Sequence, residues 1–189
     1  MEKVAIDHPG VKFLSNTGEL QGEPVQQSFR RIKDMAGVFV SEEARDKMDP
    51  EQLVYEVQLY FPVQDGTNGG LFFGNTTIYP GRVGQEYFMT KGHFHAIRDR
   101  AEYYWCMEGE GVLILMDENR NTRGEKMTPG SLHYIPGKIA HRVANTGSNR
   151  LRFGACWPSD AGHDYESIAR EGFGARLMVV NEVPTLVKS

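Results

Sequence analysis

The sequence has few cysteines, no long apolar run and no strong charge of either sign. Cys106 and Cys156 are the 2 cysteines of the 189-residue chain, and they lack the paired spacing of a metal or redox motif. We therefore predict buried thiols rather than a disulfide, as in a reducing cytoplasm. No apolar stretch approaches the roughly 20 residues that span a bilayer, and residues 1–8 lack the apolar core of an export signal. The sequence thus predicts a cytoplasmic protein that does not enter a membrane.

The weak net charge bounds the class of partner. A formal charge of −4 argues against nucleic acid, which normally requires a basic face. An anionic small molecule is still compatible with it, because backbone N–H groups, hydroxyls and one or two cations can hold a phosphate in an acidic protein. The length suits one domain with a real core. We predict a single domain over 1–189, with an N-terminal arm and short helix in 1–50, a barrel core in 51–160, and a helix and strand in 161–189.

Alternating apolar residues predict a mostly β fold. The first clear case is 53–61, where every second residue is apolar. Further short strands, separated by Gly, Pro and Asn turns, are predicted at 71–79, 86–95, 102–107, 112–116, 123–127, 132–135, 141–144, 151–157 and 176–180. Two short helices are predicted at 41–48, with Ser41 as N-cap, and at 164–171, with Asp164 as N-cap and Gly172 as its end. Many short strands at this spacing favour an antiparallel sandwich or barrel.

Two histidines and a carboxylate lie in one short stretch. Side chains alternate along a strand, so His93 and His95 should share a face, with Glu102 beyond the following turn. His141, after a Gly- and Pro-rich approach, is the best candidate for a fourth ligand. A mixed nitrogen and oxygen site of this kind suits Fe, Mn, Ni, Co or Zn and disfavours Ca or Mg. The sequence therefore predicts a transition-metal site.

The same residues resemble two cupin motifs. His93-x-His95, Glu102 and Gly109 resemble the first motif, and Gly130-x5-Pro136 followed by His141-x3-Asn145 resembles the second. The gap from the second histidine to the glutamate is longer than is usual, and Gly137 comes one position early. The resemblance implies an all-β cupin double-stranded β-helix, a jelly-roll-like barrel with a few short helices.

Longer stretches resemble one cupin subgroup. Thr76-Thr-Ile-Tyr-Pro-Gly81, Thr90-Lys-Gly-His-Phe-His95 and Asp99-Arg-Ala-Glu102 are similar to the cupin-type, archaeal-type glucose-6-phosphate isomerases. Residues 29–37 and 157–165 resemble the same family. The resemblance implies reversible interconversion of glucose 6-phosphate and fructose 6-phosphate in a cytoplasmic homodimer with one divalent metal per subunit. Fe2+ is the first choice for that metal, and Mn2+, Ni2+, Zn2+ and Co2+ are possible.

The resemblance also implies roles for individual residues. It makes His93, His95, Glu102 and His141 the metal ligands, and Glu102, Tyr104 and His163 the catalytic candidates. The candidates for binding the phosphosugar are Thr76, Thr90, Lys91, Gly92, Tyr165 and Trp157. Trp157 stands where some family members have tyrosine, which removes a hydroxyl.

The chemistry leaves other functions open. A metal that chelates the C1 and C2 oxygens would assist isomerisation by an enediolate or by a hydride shift, and the residues do not choose between these routes. In the first route, Glu102 is the candidate base. A metal-dependent cupin dioxygenase is one alternative, because three His and one Glu around iron can serve oxygen chemistry. A non-catalytic sugar-phosphate-binding cupin is the other.

Overall fold

The structure is a computed structural model that describes residues 4–189, and short strands are its main secondary structure. In chain order the strands are β1 (Lys12–Leu14), β2 (Glu19–Gln21), β3 (Val25–Arg31), β4 (Leu53–Tyr60), β5 (Leu71–Ile78), β6 (Arg82–Val83), β7 (Glu86–Tyr87), β8 (Glu102–Glu108), β9 (Gly111–Met116), β10 (Thr122–Met127), β11 (Leu132–Ile135), β12 (Ala140–Asn145), β13 (Leu151–Pro158), β14 (Ala175–Val180) and β15 (Val183–Lys188). The helices are a 3-10 turn at Ile32–Asp34, α1 (Glu42–Asp46) and α2 (Glu166–Glu171). The predicted all-β class with a few short helices is confirmed.

The largest sheet has six strands in the order β11-β8-β13-β5-β4-β3. All of its pairings are antiparallel, and β13 lies between β5 and β8 although it follows both in the chain. One face of this sheet is apolar near β13, where Phe153 is 2% exposed and Leu151 is fully buried. The inner face of the sheet forms one wall of the barrel.

The opposite wall is built on β12. This strand pairs with β9, and β9 pairs with β10. On its other side, β12 bonds to the chain that follows β7, because the Thr90 N–H donates to the Val143 carbonyl at 2.9 Å and the His141 N–H donates to the His93 carbonyl at 3.0 Å. The two walls share one cluster of buried side chains, which includes Phe88, Leu113 and Ile114 of the second wall. Burying each such side chain contributes about 1.5–3 kcal/mol.

The segment 86–95 differs from the predicted regular strand. Strand β7 ends at Tyr87, and beyond it the chain is held by isolated bridges, such as the one from His93 to His141. Gly92 takes a φ of +75°, a left-handed conformation that interrupts any extended strand. The prediction of a continuous strand over 86–95 was therefore wrong.

The N-terminal region also contains more sheet than was predicted. Strand β3 pairs with β4 from Val25 to Arg31, so these residues are the edge of the main sheet rather than a free arm. At the other end of the chain, β14 matches the predicted strand 176–180, but β15 was missed. Asn181 and Glu182 connect the two with φ values of 50° and 63°, the primed-turn conformation that favours a tight hairpin.

The helices are shorter than predicted, but their predicted caps make the expected bonds. Ser41 accepts a hydrogen bond from the Ala44 N–H at 3.1 Å and caps α1, which ends at Asp46. Helix α2 begins at Glu166 rather than at 164, yet the Asp164 carboxylate still accepts the Ser167 N–H at 3.1 Å. Gly172 ends α2 with a φ of +71°, as predicted.

Both cysteines are free thiols: Cys106 is buried, as predicted, whereas Cys156 is only half-buried. Within residues 4–189, no helix has both the length and the apolar character needed to traverse a bilayer.

Candidate active site

Four predicted metal-binding side chains meet at one point. His93 and His95 come from the segment after β7, Glu102 begins β8, and His141 lies on β12. Their ligand atoms all lie within 4.8 Å of one another. Glu102 Oε1 is 2.5 Å from His141 Nε2 and 3.3 Å from His95 Nε2. The bonding of segment 88–95 to β12 therefore brings together residues that are distant in the sequence.

The hydrogen bonds of this group suit a metal ion. His95 Nδ1 donates to the Arg100 carbonyl at 2.8 Å, and His141 Nδ1 donates to the Ile139 carbonyl at 3.2 Å. Each of these rings therefore turns Nε2, with its lone pair, towards the group. Among the described residues, the buried atoms His93 Nε2, His141 Nε2 and Glu102 Oε1 have no hydrogen-bond partner. Leaving such atoms unsatisfied is costly, and one divalent cation would satisfy all three.

The pKa shifts of Glu102 and His93 also suit a metal ion. Burial alone would raise the pKa of Glu102, but the nearby imidazoles of His141 and His95 hold it well below its usual range. Burial, together with neighbouring His141 and His163, lowers the pKa of His93 well below its usual value. An ionised carboxylate and a neutral imidazole are the forms that coordinate metals. The residues thus fit a divalent metal.

A cavity of about 610 Å³ lies between the two walls and contains the metal-binding group. Along β3, β4, β5, β8 and β13, the residues that line it are two positions apart, as the strand period requires. Of the predicted residues, all but His95 line the cavity: Thr76, Thr90, Lys91, Gly92, His93, Glu102, Tyr104, His141, Trp157, His163 and Tyr165. His95 is buried behind the wall, from where its Nε2 reaches Glu102.

The loop from Thr90 to Gly92 is held in place by residues of β12 and by Phe173. Thr90 Oγ1 accepts the Val143 N–H at 3.1 Å, which leaves its own hydroxyl hydrogen available to another acceptor. The buried Arg142 donates to the Lys91 carbonyl at 2.9 Å and stacks 4.0 Å from the Phe173 ring centroid. A Cβ on Gly92 would lie 2.8 Å from Phe173 and 2.9 Å from Arg142, so only glycine fits here.

The aromatic and imidazole groups of the cavity differ in environment. Burial raises the pKa of Tyr104 well above its usual value, so its hydroxyl stays protonated. The His163 ring lies 4.4 Å from the His93 ring and stacks on Tyr165 at 5.6 Å. Although His163 reaches solvent, the surrounding walls lower its pKa by desolvation. Trp157 is 8% exposed and packs edge-on against Phe72, so its main role is to form part of the cavity wall.

The comparison with known families decides the family. The family model for glucose-6-phosphate isomerase matches residues 29–188. The chain belongs to this family. The glucose-6-phosphate isomerase of Thermococcus litoralis is 42% identical over 95% of this chain and 93% of its own length. That of Pyrococcus horikoshii is 44% identical over 91% of this chain and 90% of its own length.

Among solved structures, oxalate decarboxylase from Bacillus subtilis is similar to part of the chain. Its TM-score is 0.44 and its identity 18%, over 58% of this chain and 26% of that chain. The antiparallel strand order of the two walls confirms the predicted all-β barrel, and in this member of the glucose-6-phosphate isomerase family the cavity opens between these walls.

Sequence reasoning missed part of the cavity of this family member. Ser28 and Arg30 of β3, Tyr55 of β4, and Asp65 of the following loop also line it. From the sequence alone, the doublet Arg30-Arg31 is expected to be solvated or ion-paired, and this fits only Arg31, whose Nε lies 3.6 Å from the Glu51 carboxylate. Alternation along β3 was the signal that could have separated them, because neighbouring residues of a strand face opposite sides.

Proposed function

We propose that this protein is a metal-dependent glucose-6-phosphate isomerase that interconverts glucose 6-phosphate and fructose 6-phosphate. One observation carries the proposal: the cavity joins a buried group of three histidines and a glutamate to a wall that bears hydroxyls and two cationic side chains. An aldose–ketose isomerase for phosphosugars needs both features. It must act on the C1 and C2 oxygens of the sugar and hold a phosphate at the other end of the same molecule.

The ligands for one divalent cation are proposed to be His93, His95, Glu102 and His141. When bound, such a cation supplies Lewis-acid polarisation of the sugar carbonyl. The donor set of three imidazoles and one carboxylate is that of a transition metal, and Fe2+ is the proposed ion, with Mn2+, Ni2+, Zn2+ or Co2+ as substitutes.

Three residues are proposed to act on the reacting carbons and their oxygens. Glu102 is the proposed base for the C2 proton, since its ionised carboxylate enters the cavity. Tyr104 lies two residues along the same strand and can donate its hydroxyl hydrogen to a sugar oxygen, because its pKa is raised. His163 is neutral near pH 7, since its pKa is lowered, and can accept a proton from one sugar oxygen and return it to the other.

The phosphate is proposed to bind at the loop from Thr90 to Gly92. The Thr90 and Thr76 hydroxyls, the Gly92 N–H and the Lys91 ammonium all belong to the cavity wall there. Tyr165 is proposed to add a further hydroxyl, and the Trp157 indole to contribute apolar surface against the sugar.

A homodimer in the cytoplasm is part of the same proposal. It is supported by an apolar patch on the outer face of the main sheet, where Tyr103, Leu132 and Tyr134 are 48%, 67% and 53% exposed. The patch lies on the paired strands β8 and β11, and the Tyr103 and Tyr134 rings are 5.2 Å apart. Contiguous exposed apolar groups are typical of an interface. Sedimentation equilibrium of the wild type and of Leu132→Glu tests it: a wild-type monomer contradicts the dimer.

The reaction is tested on chelator-treated protein before and after addition of Fe2+, Mn2+, Ni2+, Co2+ or Zn2+. Fructose 6-phosphate is supplied, and the glucose 6-phosphate formed is coupled to its oxidation. We expect turnover only after metal is added. Folded, metal-loaded protein without turnover would contradict the proposal. Oxygen consumption in its place would favour a dioxygenase, and phosphosugar binding without turnover would favour a binding module.

A further inference from the structure

Arg30 enters the cavity from the edge of the main sheet. On β3, Ser28 and Arg30 point inwards and line the cavity, whereas Arg31 points outwards. In the strand order, β3 lies four positions from β8, which carries Glu102. At about 4.8 Å per strand this is a separation of roughly 19 Å along a flat sheet. Barrel curvature shortens this gap, and Arg30 enters the cavity from the strand of this sheet that lies farthest from β8 in the strand order.

The Arg30 guanidinium is held on one side only. Its Nη1 donates to Ser28 Oγ and to the Phe29 carbonyl, both at 2.8 Å. The ion pairs formed within residues 4–189 include no carboxylate partner for Arg30 or for the other cavity cation, Lys91. By contrast, Arg31 pairs with Glu51. A guanidinium that is anchored by neutral groups keeps its charge and its remaining N–H donors for a ligand.

The charge of Arg30 acts on other side chains of the cavity wall. Burial raises the pKa of Tyr55 to about 12, and the nearby positive charge of Arg30 offsets part of this rise. Burial also raises the pKa of Tyr165, and the charge of Arg30 again offsets part of this rise. Arg30 therefore lines the same cavity as Tyr55 and Tyr165 and is near enough for its charge to act on both of them.

From this geometry we infer that Arg30 binds the phosphate of the substrate and sets the preference for phosphorylated over neutral sugars. The inference rests on the proposed function, and it adds a residue from β3 to the phosphate end of the cavity. A dianionic phosphate needs cations as well as hydroxyl donors, and Arg30 can present two parallel N–H groups to two phosphate oxygens. Lys91 provides a single point charge from the opposite wall.

The test compares Arg30→Gln with Arg31→Gln, a matched change on the outer side of the same strand. For metal-loaded Arg30→Gln we expect the KM for fructose 6-phosphate to rise about 10- to 150-fold, the effect of losing a hydrogen bond to a charged group. The kcat should change little, because the phosphate is remote from the reacting carbons. Inorganic phosphate should inhibit Arg30→Gln more weakly by a similar factor. Arg31→Gln should resemble the wild type, and Arg30→Lys should recover part of the loss.

Calorimetric titration with inorganic phosphate separates this inference from the proposed function. Wild type that binds phosphate through Arg30 but turns over no phosphosugar would overturn the isomerase proposal and keep the anion site. Active Arg30→Gln with wild-type KM and phosphate inhibition would overturn the inference and leave the isomerase proposal intact. A purely structural role for Arg30 would lower thermal stability without a selective loss of phosphate binding, which also overturns it.

Discussion

Replacing Thr90 by valine removes a cavity hydroxyl while it keeps the shape of the side chain. The hydroxyl can make two hydrogen bonds. Its oxygen accepts the Val143 N–H at 3.1 Å, and its hydrogen can be donated to the substrate. The first hydrogen bond stabilises the fold, and the second contributes to substrate binding. Thr90→Val loses both, whereas Thr90→Ser keeps both and is the matched control.

The two hydrogen bonds predict two separate effects of Thr90→Val, one on substrate binding and one on stability. Loss of a hydrogen bond to a charged phosphate costs about 1.5–3 kcal/mol, so the KM for fructose 6-phosphate should rise about 10- to 150-fold. Loss of the bond to the Val143 N–H should lower the free energy of unfolding by about 1 kcal/mol, which corresponds to a Tm lower by about 2–4 °C in a chain of this size. The kcat should stay within a few-fold of wild type, because ground state and transition state bind the phosphate equally.

Coupled kinetics and thermal unfolding on the same preparations measure both effects. A lower Tm with an unchanged KM would show that the Thr90 hydroxyl serves Val143 alone, which refutes its role in phosphate binding. A raised KM shared by Thr90→Ser would instead implicate the methyl group and refute the hydrogen-bond reasoning.

Three further changes test the metal group, the loop and the C-terminal helix. His141→Ala should lose both bound metal, measured by elemental analysis, and turnover, measured by the coupled assay. The control is His133→Ala, at a buried histidine outside the cavity, which should keep its metal. Full activity of metal-free His141→Ala would refute the assignment of the metal ligands. Gly92→Ala should lower the free energy of unfolding by about 1–3 kcal/mol more than Gly37→Ala, since both have positive φ but only Gly92 lacks space; equal urea midpoint shifts would contradict this. Asp164 has its pKa lowered from 3.8 to about 2 by bonds from the first turn of α2 and from a nearby guanidinium, so it stabilises the fold above pH 4 and loses this effect as the pH falls towards 2. Asp164→Ala should therefore cost about 1 kcal/mol at pH 7 and progressively less below pH 4, and a cost that does not vary with pH would exclude the ionised cap.

Alternation of apolar and polar residues was a reliable guide to the strands wherever it was strong. Strand β4 was predicted at 53–61 and observed at Leu53–Tyr60, because alternation is strong there. Strand β3 was missed because its pattern is inverted. Phe29 is 43% exposed on the outer side, while Ser28 and Arg30 point into the barrel. A strand that borders a polar cavity does not show the usual apolar inner face, so its sequence resembles a loop.

The candidate site was predicted better than the segment that carries it. The four candidate metal ligands were recognised because their chemical types and spacing are specific, and the structure brings them together. The backbone between Thr90 and His95 instead depends on partners far away in the sequence. The bonds to β12 and the support from Arg142 cannot be read from the local pattern. Long-range contacts of this kind override local propensity.

The break in this segment explains how one short stretch can serve both ends of a substrate. In a regular strand, Thr90 and Gly92 would face one side while Lys91 and His93 faced the other. In the structure all four line the cavity. The left-handed φ of Gly92 turns the chain so that consecutive residues point into the same space. The phosphate-binding candidates are thereby joined directly to the first metal-binding histidine, so the span between the two ends of the cavity is set by a few peptide bonds held against Arg142 and β12.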